Sequence, residues 1–438
     1  MSETLFPGAD DVGEVREERR RGSASPRLVR PERKQVLLQA ADIDSLLDPD
    51  HRVRAVWAFV DALDVSALYA RVGSVEGGVG RPAIDPKVLL ALWVYATIEG
   101  VGSARELARL CEEHAAYRWI CGGITPNHRL LADFRSDRGE EIDALLTQSV
   151  GVLMARGLVT LERVAQDGLR VRASAAAASF RSKGALARCL NEAKEQVKRL
   201  KDEIDDDPGA GAKRSRASKE RAARDREAAV AEAVRQWEEV ANARKDGDEA
   251  QARVSTTDPD SRVMRMPDGG FRPAYNAQIA CDVESQVIVG VDVTRSGGDM
   301  RQLPPMLDQL EERYEALPRE MLVDGGFASR DAIEQASGRG VTVYAPELRN
   351  PRRTRPAGAV DHRDTEQIAA WRRRMASPEG KAIYAQRGAS IECVNALARN
   401  RGLRAVLVRG IDKVRSVVAL FALAHNVMRS LSLPPVAA

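Results

Sequence analysis

Strand-like and helix-like stretches alternate between residues 254 and 345, and this alternation constrains the fold more than any other feature of the sequence. Two apolar runs with strand periodicity flank the turn residues ESQ, a pattern typical of an antiparallel hairpin. Together with the stretches that follow, they predict strands at residues 279–283, 287–293, 320–324 and 341–345, and helices at residues 303–317 and 331–338. This order predicts an α+β domain with a mixed sheet flanked by helices.

Residues 35–156 show helical periodicity and predict an all-α N-terminal domain. Asp85 and Pro86 provide an N-cap and a first-turn proline for an apolar helix, and Gly100 ends it. The sequence SARE that follows is a capping box for a second helix, and the pair TP at residues 125–126 is predicted to start a third. Short helices joined by tight turns favour a DNA-binding arrangement like a helix-turn-helix, although many helical bundles bind no DNA.

Residues 181–253 are rich in Ala, Glu, Lys and Arg and are interrupted by DDDPGAGA at residues 205–212. Opposite charges at helical spacing favour two long polar helices, which we interpret as a helical hairpin inserted between strands of the α+β domain. Its apolar residues would pack the two arms together or pair with a second subunit, and its outer basic residues would contact DNA or only solvent. The apolar positions are Leu190, Val197, Leu200, Ile204, Val230, Val234, Trp237 and Val240.

The charge of the chain is nearly balanced, because 67 Lys and Arg residues face 64 Asp and Glu residues and leave a net charge of +3. A nucleic-acid partner would therefore need a local basic surface. Arg-rich runs occur at residues 14–34, 213–226 and 350–355. A solvated, disordered or helical face is the alternative for each run, and it explains the first two equally well. Residues 1–34 mix charge with Ser, Gly and Pro and are predicted to form a disordered arm.

Cysteine and histidine usage argues against structural zinc and against a disulfide framework, because there are only five of each and no CxxC pair. A reducing, cytoplasmic location is expected. No apolar stretch approaches the ~18 residues of a membrane span, and the N-terminus lacks the apolar core of a signal peptide. We therefore expect no membrane partner and no small-molecule cofactor.

Three acidic residues are distinguished by their local settings. Asp167 and Asp324 each close a short apolar strand, and Glu392 lies inside a helical stretch. Gly168 is predicted to turn the chain into a hairpin after Asp167, and Gly325 permits a sharp turn after Asp324. Carboxylates are preferred ligands of Mg²⁺, and two such ions clamp the attacking and leaving oxygens of phosphoryl transfer. The acids therefore favour an enzyme that cuts and joins DNA, although solvated strand ends and a surface Glu give the same pattern.

Several segments form a recognisable combination of motifs. They are EGKAIYAQRGASIECVNALARNRGLRAVLVRGIDKV with HNVMRSL after it, TDPDSRVMR, YNAQIACDVESQVIVG, VDGGF, and the N-terminal PKVLLALWVYATIEGVGSARELARLCEEHAAYRWICGG. Together they resemble bacterial insertion-sequence transposases of the DDE type, and the insertion sequence 1182 family in particular. The resemblance covers roughly residues 35–180 and 254–432.

This resemblance implies a ribonuclease-H-like catalytic domain built from residues 157–180 and 254–438. It also implies that Asp167, Asp324 and Glu392 are catalytic and hold two Mg²⁺ or Mn²⁺ ions. In such enzymes a water first attacks the phosphodiester at the transposon end, and the freed 3′-OH then attacks target DNA. The implied partners are transposon ends and target DNA, bound by a homodimer. The implied location is the bacterial cytoplasm, in association with the nucleoid.

The same resemblance assigns DNA-binding roles to Tyr384, Arg387 and Arg399, which lie near Glu392 in the sequence. Arg387 and Glu392 are five residues apart and do not share a face of a regular helix, so we expect them to address different parts of the DNA. A C-terminal face supplies further phosphate-binding candidates or is simply solvated. Its residues are Arg409, Lys413 and Arg429, with Asn426 in support.

Two positions depart from the common pattern of the family, which usually has Lys where Arg399 stands and often Pro where Cys393 stands. Arg keeps the charge and the phosphate affinity with a different geometry. Asp282, Asp292 and Asp299 lie in or near strands and compete for the metal-binding roles. The alternative functions are a metal-dependent nuclease without strand transfer and a non-catalytic DNA-binding regulator derived from a transposase. A scaffold built on the charged hairpin would leave the three acids unexplained.

Overall fold

The computed structural model describes residues 42–75, 77–78, 81–206, 213–244, 248–347 and 358–433. The predicted disordered arm at residues 1–34 and the basic run at residues 350–355 lie outside the described residues. None of the helices in the described ranges combines the length and the apolar character that a bilayer crossing requires.

Helices dominate the described residues, and a mixed sheet lies among them. The helices are α1 (Arg52–Asp61), α2 (Ser66–Ala70), α3 (Pro86–Ile98), α4 (Ala104–Glu113), α5 (Ala115–Cys121), α6 (His128–Asp137), α7 (Gly139–Ala155), α8 (Lys183–Asp206), α9 (Lys213–Asn242), α10 (Leu303–Tyr314), α11 (Arg330–Gly338), α12 (Glu366–Ala376), α13 (Pro378–Ala389), α14 (Ile391–Asn400) and α15 (Ile411–Ser430). The strands are β1 (Arg163–Arg172), β2 (Phe180–Arg181), β3 (Val254–Ser255), β4 (Arg262–Arg265), β5 (Phe271–Asp282), β6 (Ile288–Thr294), β7 (Glu320–Leu322) and β8 (Thr342–Tyr344).

The main sheet has the order β4-β5-β1-β7-β8, and β6 pairs with a further stretch of β5. β1 runs antiparallel to β5 and parallel to β7, and β7 runs parallel to β8. Parallel neighbours need a crossover connection, which α10 and α11 provide on either side of β7 in the chain. The predicted α+β domain with a mixed sheet is confirmed, as is the order of elements predicted between residues 279 and 345. β4 is not among the predicted strands, and β5 begins at Phe271 and not at residue 279.

The N-terminal helices pack on the last helix of the chain. α3 is buried along almost its whole length, and α15 packs against α3, α6, α7 and β6. Asp85 caps α3 by accepting a hydrogen bond from the Lys87 N–H (2.8 Å), and Gly100 ends it with φ +76°. The predicted bounds of this helix are therefore confirmed.

The predicted start of the third N-terminal helix is wrong, because α6 begins at His128 and not at the TP pair of residues 125–126. The side chain of Asn127 accepts hydrogen bonds from the N–H groups of Arg129 (3.0 Å) and Leu130 (2.9 Å). Two of the unpaired N–H groups of the first turn are satisfied in this way, which makes Asn127 the N-cap.

The charged segment forms two helices, α8 and α9, that pack along each other. Val197 and Val230 are buried in their contact, as predicted, and small residues such as Ala193 and Ala233 let the two helices approach closely. β2 and β3 pair at the base of the hairpin. The Trp237 indole N–H donates to the carbonyl oxygen of Ala252 (3.1 Å) near the same base. Packing within the hairpin therefore accounts for Val197 and Val230, whereas the side chain of Ile204 lies outside the described residues.

The TDPDSR motif caps the N-terminus of α15. Asp258 is fully buried and accepts hydrogen bonds from the Gly410 N–H (3.0 Å) and the Tyr275 hydroxyl (2.6 Å). Asp260 accepts from the N–H of Ile411 (3.0 Å). Carboxylates are favoured at a helix N-terminus because its N–H groups are unpaired and carry partial positive charge. The motif thus ties α15 to the sheet, which explains its acids without a catalytic role.

His425 gives the fold a predictable response to acid. It is buried in α15, its Nε2 lies 2.9 Å from the carbonyl oxygen of Gln286, and burial lowers its pKa from 6.5 to about 4. The unfolded chain therefore binds this proton more readily than the folded chain, so the stability contributed by neutral His425 is complete above pH 6.5 and is lost as the pH falls toward 4. We expect a loss of about 2 kcal/mol between pH 7.5 and pH 5 from this residue.

Urea unfolding of wild type and His425→Gln at both pH values measures this effect. The wild type is expected to lose about 2 kcal/mol more than the variant over the interval. Equal losses in the two proteins would contradict the assignment to His425.

Candidate active site

Asp167 lies in the middle of a strand and not at its end. β1 continues beyond it and pairs with β5 from Val164 to Arg172 without interruption. The predicted hairpin after Asp167 is therefore wrong. The buried and exposed positions keep alternating through Leu169 and Arg170, so the chain remains extended where Gly168 suggested a turn.

Gly168 instead makes room for a buried polar cluster beside the strand. A Cβ atom at this position would clash with Oδ1 of Asp299 and would lie 2.8 Å from Oδ1 of Asn276. Asp299 accepts hydrogen bonds from Asn276 (2.7 Å), Gln278 (2.8 Å) and Arg170 (2.9 Å). A glycine in a strand interior often marks such a close approach. Asp299, one of the three rival acids, is thereby engaged in a structural network.

Gly168→Ala is expected to reduce the free energy of unfolding by about 2 kcal/mol, because the added methyl group overpacks this cluster. Gly151→Ala is the matched control, since nothing lies within 4 Å of a Cβ added there in α7 and alanine favours a helix over glycine. Urea denaturation of both variants tests the expectation. A Gly168→Ala protein as stable as the control would contradict the close approach.

Asp324 follows β7, as predicted, and its Oδ1 accepts a hydrogen bond from the Gly326 N–H (2.7 Å). The parallel register of β1 and β7 aligns Ala165 with Leu322. Asp167 and Asp324 each lie two residues beyond these partners, so both project from the same face of the sheet. The structure thus brings together the two acids from strands that are far apart in sequence.

Glu392 lies in the first turn of α14, and the helix predicted around it is broken. α13 ends at Ala389 and α14 begins at Ile391, with Ser390 between them at φ −110° and ψ −93°. The prediction of one continuous helix is therefore wrong. Because Glu392 and Arg387 lie on different helices, their five-residue spacing does not determine whether their side chains face each other.

Arg387 bridges two of the three acids. Its guanidinium lies 2.9 Å from Oδ1 of Asp167 through Nη2 and 3.1 Å from Oε1 of Glu392 through Nη1. The prediction that Arg387 and Glu392 address different places is wrong for this arrangement, because the break at Ser390 turns them toward each other. Arg387 is 7% exposed, whereas the Glu392 side chain is 57% exposed.

Burial raises the pKa of the Asp167 carboxyl, the charge of Arg387 opposes that rise, and the charge of Asp324 adds to it. Burial likewise raises the pKa of Tyr384, which lies in the field of the same three charged groups, Arg387, Asp324 and Glu392. Asp324 lies 60 or more residues before Tyr384, Arg387 and Glu392 in the sequence, and their proximity depends on the fold of the sheet.

Asn395 is a site residue that the sequence did not reveal. Its Nδ2 donates to Oδ2 of Asp167 (2.9 Å), and the side chain is almost fully buried. Asn395 lies three residues after Glu392, so the two share a face of α14. The three-residue spacing from Glu392 was the signal in the sequence that could have identified Asn395. Its amide binds Oδ2 of Asp167, whereas Arg387 binds Oδ1.

The carboxylate oxygens of Asp167, Asp324 and Glu392 are of the kind that divalent cations prefer as ligands. In this structure the three side chains are not arranged as a metal centre. Within the described ranges, no group of three or more His, Cys, Asp or Glu side chains is placed to hold a metal ion. The guanidinium of Arg387 lies between Asp167 and Glu392 and pairs with both carboxylates. A cation at these carboxylates would compete with Arg387 for the same oxygens.

The other predicted DNA-binding residues do not form one cluster, although Arg409 and Lys413 line the same surface pocket. Arg399 is exposed at the end of α14, and Arg409 and Lys413 are exposed near the start of α15. Arg429 is half-buried near the other end of α15, where its Nε donates to the carbonyl oxygen of Ser285 (2.9 Å). Sixteen residues of helix separate Lys413 from Arg429, which corresponds to about 24 Å. The predicted C-terminal face is therefore not one continuous patch.

Asn426 has a structural role. Its side chain accepts from the N–H of Ile288 (2.8 Å) and donates to the carbonyl oxygen of the same residue (2.8 Å), and it is buried. Two other predicted candidates are also engaged: Asp282 accepts from the N–H and hydroxyl of Ser285 (2.8 and 2.6 Å), and Asp292 pairs with Arg415 (3.0 Å). The rival acids therefore hold turns and helices in place.

Two stretches of the chain match known families. Residues 41–137 match the transposase domain DUF772, and residues 254–427 match the transposase DDE domain. Each match covers less than half of the chain, and together the two matches support a transposase. No curated protein and no solved structure matches it. The predicted resemblance to DDE transposases is confirmed at this level, and the narrower relation to the insertion sequence 1182 family stays a prediction.

The transposase DDE domain, as matched, contains Asp324 and Glu392 but not Asp167, which precedes residue 254. The structure nevertheless places β1, the strand of Asp167, between β5 and β7 of the same sheet. The helical hairpin of α8 and α9 separates β1 from the matched region in sequence only. The candidate site is thus assembled across that insertion.

Proposed function

We propose that the protein is a DDE transposase that cleaves DNA at transposon ends and transfers the cut strand into target DNA. The observation that carries the proposal is the convergence of Asp167 and Glu392 on Arg387, beside Asp324. All strands of this sheet except β1 lie within the region that matches the transposase DDE domain. The strand order β6-β5-β1-β7-β8, with three antiparallel strands followed by two parallel ones, supports a ribonuclease-H-like catalytic domain.

Asp167, Asp324 and Glu392 are the residues that would hold the divalent cofactor, two Mg²⁺ or Mn²⁺ ions. When bound, such ions activate a water and stabilise the leaving oxygen of a phosphodiester. The chain itself fixes the carboxylates: Asn395 and Arg387 orient Asp167, and Arg387 also orients Glu392. With the carboxylate oxygens of Asp167 and Glu392 held by the cofactor, the guanidinium of Arg387 would be available as a bidentate donor to a DNA phosphate.

The remaining partners follow from the same proposal. Tyr384 and Arg399 flank the acids and would contact phosphates near the cleaved bond, and the more distant Arg409, Lys413 and Arg429 would contact separate stretches of DNA. We assign DNA binding to the helical domain at residues 35–156 and catalysis to residues 157–180 with 254–438, separated by the insertion at residues 181–253. A homodimer on chromosomal DNA would bridge the two transposon ends.

A non-catalytic DNA-binding regulator is the second candidate, and one observation favours it. Arg387 already pairs with two of the three acids, Asp167 and Glu392. A chain that binds DNA without cutting it has no need to keep these carboxylates open to a metal ion. A nuclease that uses the same acids without joining strands is the remaining alternative.

Incubation of the full chain with a labelled transposon end, a target plasmid and Mg²⁺ or Mn²⁺ separates these functions. A transposase is expected to yield both cleaved ends and ends joined to the plasmid. Cleavage without joining identifies a nuclease, and DNA binding without cleavage in either metal identifies a regulator. Supplying a pre-cut end with a free 3′-OH isolates the joining step.

A further inference from the structure

Asn395 is buried beside the candidate active site, and only one end of its amide has a partner. The side chain is 1% exposed, and its Nδ2 donates to Oδ2 of Asp167 (2.9 Å). Its Oδ1 is buried and has no hydrogen-bond partner among the described residues. A buried acceptor without a donor destabilises the folded chain, so the position of this oxygen requires an explanation.

Exchanging the two ends of the amide does not supply one. The exchanged amide would point its oxygen at Oδ2 of Asp167, and two acceptors would then face each other. Arg387 pairs with Oδ1 of the same carboxylate (2.9 Å), and a cation this close favours the ionised form of an acid, which only accepts. The carboxylate of Asp167 therefore selects the orientation of Asn395, and Oδ1 remains the atom without a partner.

Helix α14 brings two different oxygen-bearing side chains to the strand that carries Asp167. Glu392 and Asn395 are three residues apart and share a face of α14, and α14 packs against β1. The carboxylate of Glu392 reaches Asp167 only through Arg387, whereas the amide of Asn395 contacts Asp167 directly. Among the residues near Asp167, Asn395 thus has a short, direct connection to its carboxylate.

The unpaired oxygen lies within reach of a cation bound by Asp167. The planar amide holds Oδ1 roughly 2.3 Å from Nδ2, so Oδ1 of Asn395 lies within about 5 Å of Oδ2 of Asp167. Two oxygens on opposite sides of one Mg²⁺ are about 4 Å apart, because each binds the ion at about 2.1 Å. The two side-chain oxygens are therefore already close to the separation that a shared ion requires.

The chemistry of an amide oxygen suits this place. Amide and carboxylate oxygens are both ligands of hard divalent cations. A neutral amide adds a ligand without adding to the repulsion between the carboxylates of Asp167, Asp324 and Glu392. A cation at Oδ1 would also end the burial of an acceptor without a partner.

We propose that Asn395 is a further ligand of the divalent cofactor and that its Oδ1 binds the ion held by Asp167. This inference rests on the cofactor-binding role proposed above for Asp167, Asp324 and Glu392. It goes beyond the orientation of Asp167 by Asn395, which needs only the Nδ2 donor. A residue that orients Asp167 without binding the ion is the alternative that the test has to separate.

Thermal unfolding of the full chain, titrated with Mg²⁺ and separately with Cd²⁺ at constant ionic strength and without DNA, tests the proposal. Asn395→Cys replaces a hard oxygen by a thiolate, which disfavours Mg²⁺ and favours a soft cation. The apparent Mg²⁺ affinity is expected to fall by about tenfold or more, and the apparent Cd²⁺ affinity to rise. Each affinity is obtained from the rise in melting temperature with cation concentration.

Asn400→Cys is the matched control, because Asn400 is exposed at the end of the same helix and its substitution adds the same thiol. All the proteins carry Cys393→Ser, since Cys393 is an exposed thiol on α14. Opposite changes of the two affinities in Asn395→Cys that are absent from Asn400→Cys support ligation. Equal losses of Mg²⁺ and Cd²⁺ affinity, or a response like that of Asn400→Cys, overturn it, because a residue that only orients Asp167 affects both ions alike.

Asn395→Asp is the second variant in case Asn395→Cys does not fold. It keeps the shape of the side chain, offers a carboxylate oxygen and lacks the donor to Asp167. An apparent Mg²⁺ affinity at least equal to that of the wild type supports ligation. A fall as large as that of Asn395→Leu, which has neither oxygen nor donor, overturns it.

The inference and the proposed function can fail separately. A wild type that cleaves and joins DNA with Mg²⁺, together with an Asn395→Cys protein that responds to both ions like Asn400→Cys, overturns the role of Asn395 and leaves the transposase. A wild type whose melting temperature responds to neither Mg²⁺ nor Mn²⁺ contradicts the cofactor-binding role of the three acids and ligation by Asn395 together.

Discussion

Asp324→Asn is expected to lower the rate of DNA-end cleavage and joining by about 10³-fold, which corresponds to ~4 kcal/mol of transition-state stabilisation. Asp324 projects from the same face of the sheet as Asp167, and asparagine removes its charge while keeping an oxygen. That oxygen still accepts the Gly326 N–H, which now binds Oδ1 of Asp324 (2.7 Å). The free energy of unfolding and the affinity for DNA are therefore expected to change little.

Single-turnover cleavage of a labelled transposon end, DNA binding and urea unfolding measure the three quantities separately. Asp331→Asn is the matched control. Asp331 is an exposed acid at the start of α11, and its substitution removes the same charge seven residues farther along the chain. If the Asp324→Asn variant cleaves DNA as fast as the Asp331→Asn variant, Asp324 is not a catalytic residue. A joint loss of folding and cleavage would instead show a structural role for the carboxylate.

The order of the sheet and its connecting helices could be predicted because it follows from local periodicity. Strand-like and helix-like stretches between residues 254 and 345 alternate clearly, and each prediction there depends on neighbouring residues. Asp324 could be placed at the end of β7 on the same basis. The alternation through Leu169 and Val171 also marked β1 as continuous, but the single Gly168 outweighed that signal in the prediction of a hairpin.

The assembly of the candidate site could not be predicted, because it depends on tertiary contacts and on one break in a helix. Nothing in the segment around Ser390 forbids a continuous helix, and the break appears only where Arg387 turns toward Asp167, which is 220 residues earlier in the chain. The structural use of Asp258 and Asn426 is equally non-local. Acids and amides with similar neighbours in the sequence therefore have different roles, and only the three-dimensional structure shows which are candidates for catalysis and which are structural.

Arg387→Met is expected to lower the free energy of unfolding by about 3 kcal/mol, because it leaves the largely buried Asp167 carboxylate without its cation. Asp167→Asn in the same background removes the stranded charge. The double variant is therefore expected to lose at least about 1 kcal/mol less than the sum of the two single losses. Urea unfolding of the wild type and the three variants, in EDTA, measures this coupling.

Lys381→Met, an exposed substitution on the same helix α13, is the control for the loss of a charged side chain. Additive losses for Asp167→Asn and Arg387→Met would show that the two residues do not stabilise each other. A divalent cation and Arg387 are expected to compete for the same carboxylate oxygens. Millimolar Mg²⁺ should therefore raise the melting temperature of Arg387→Met more than that of wild type, and equal shifts would mean that Arg387 does not occupy the place of a metal.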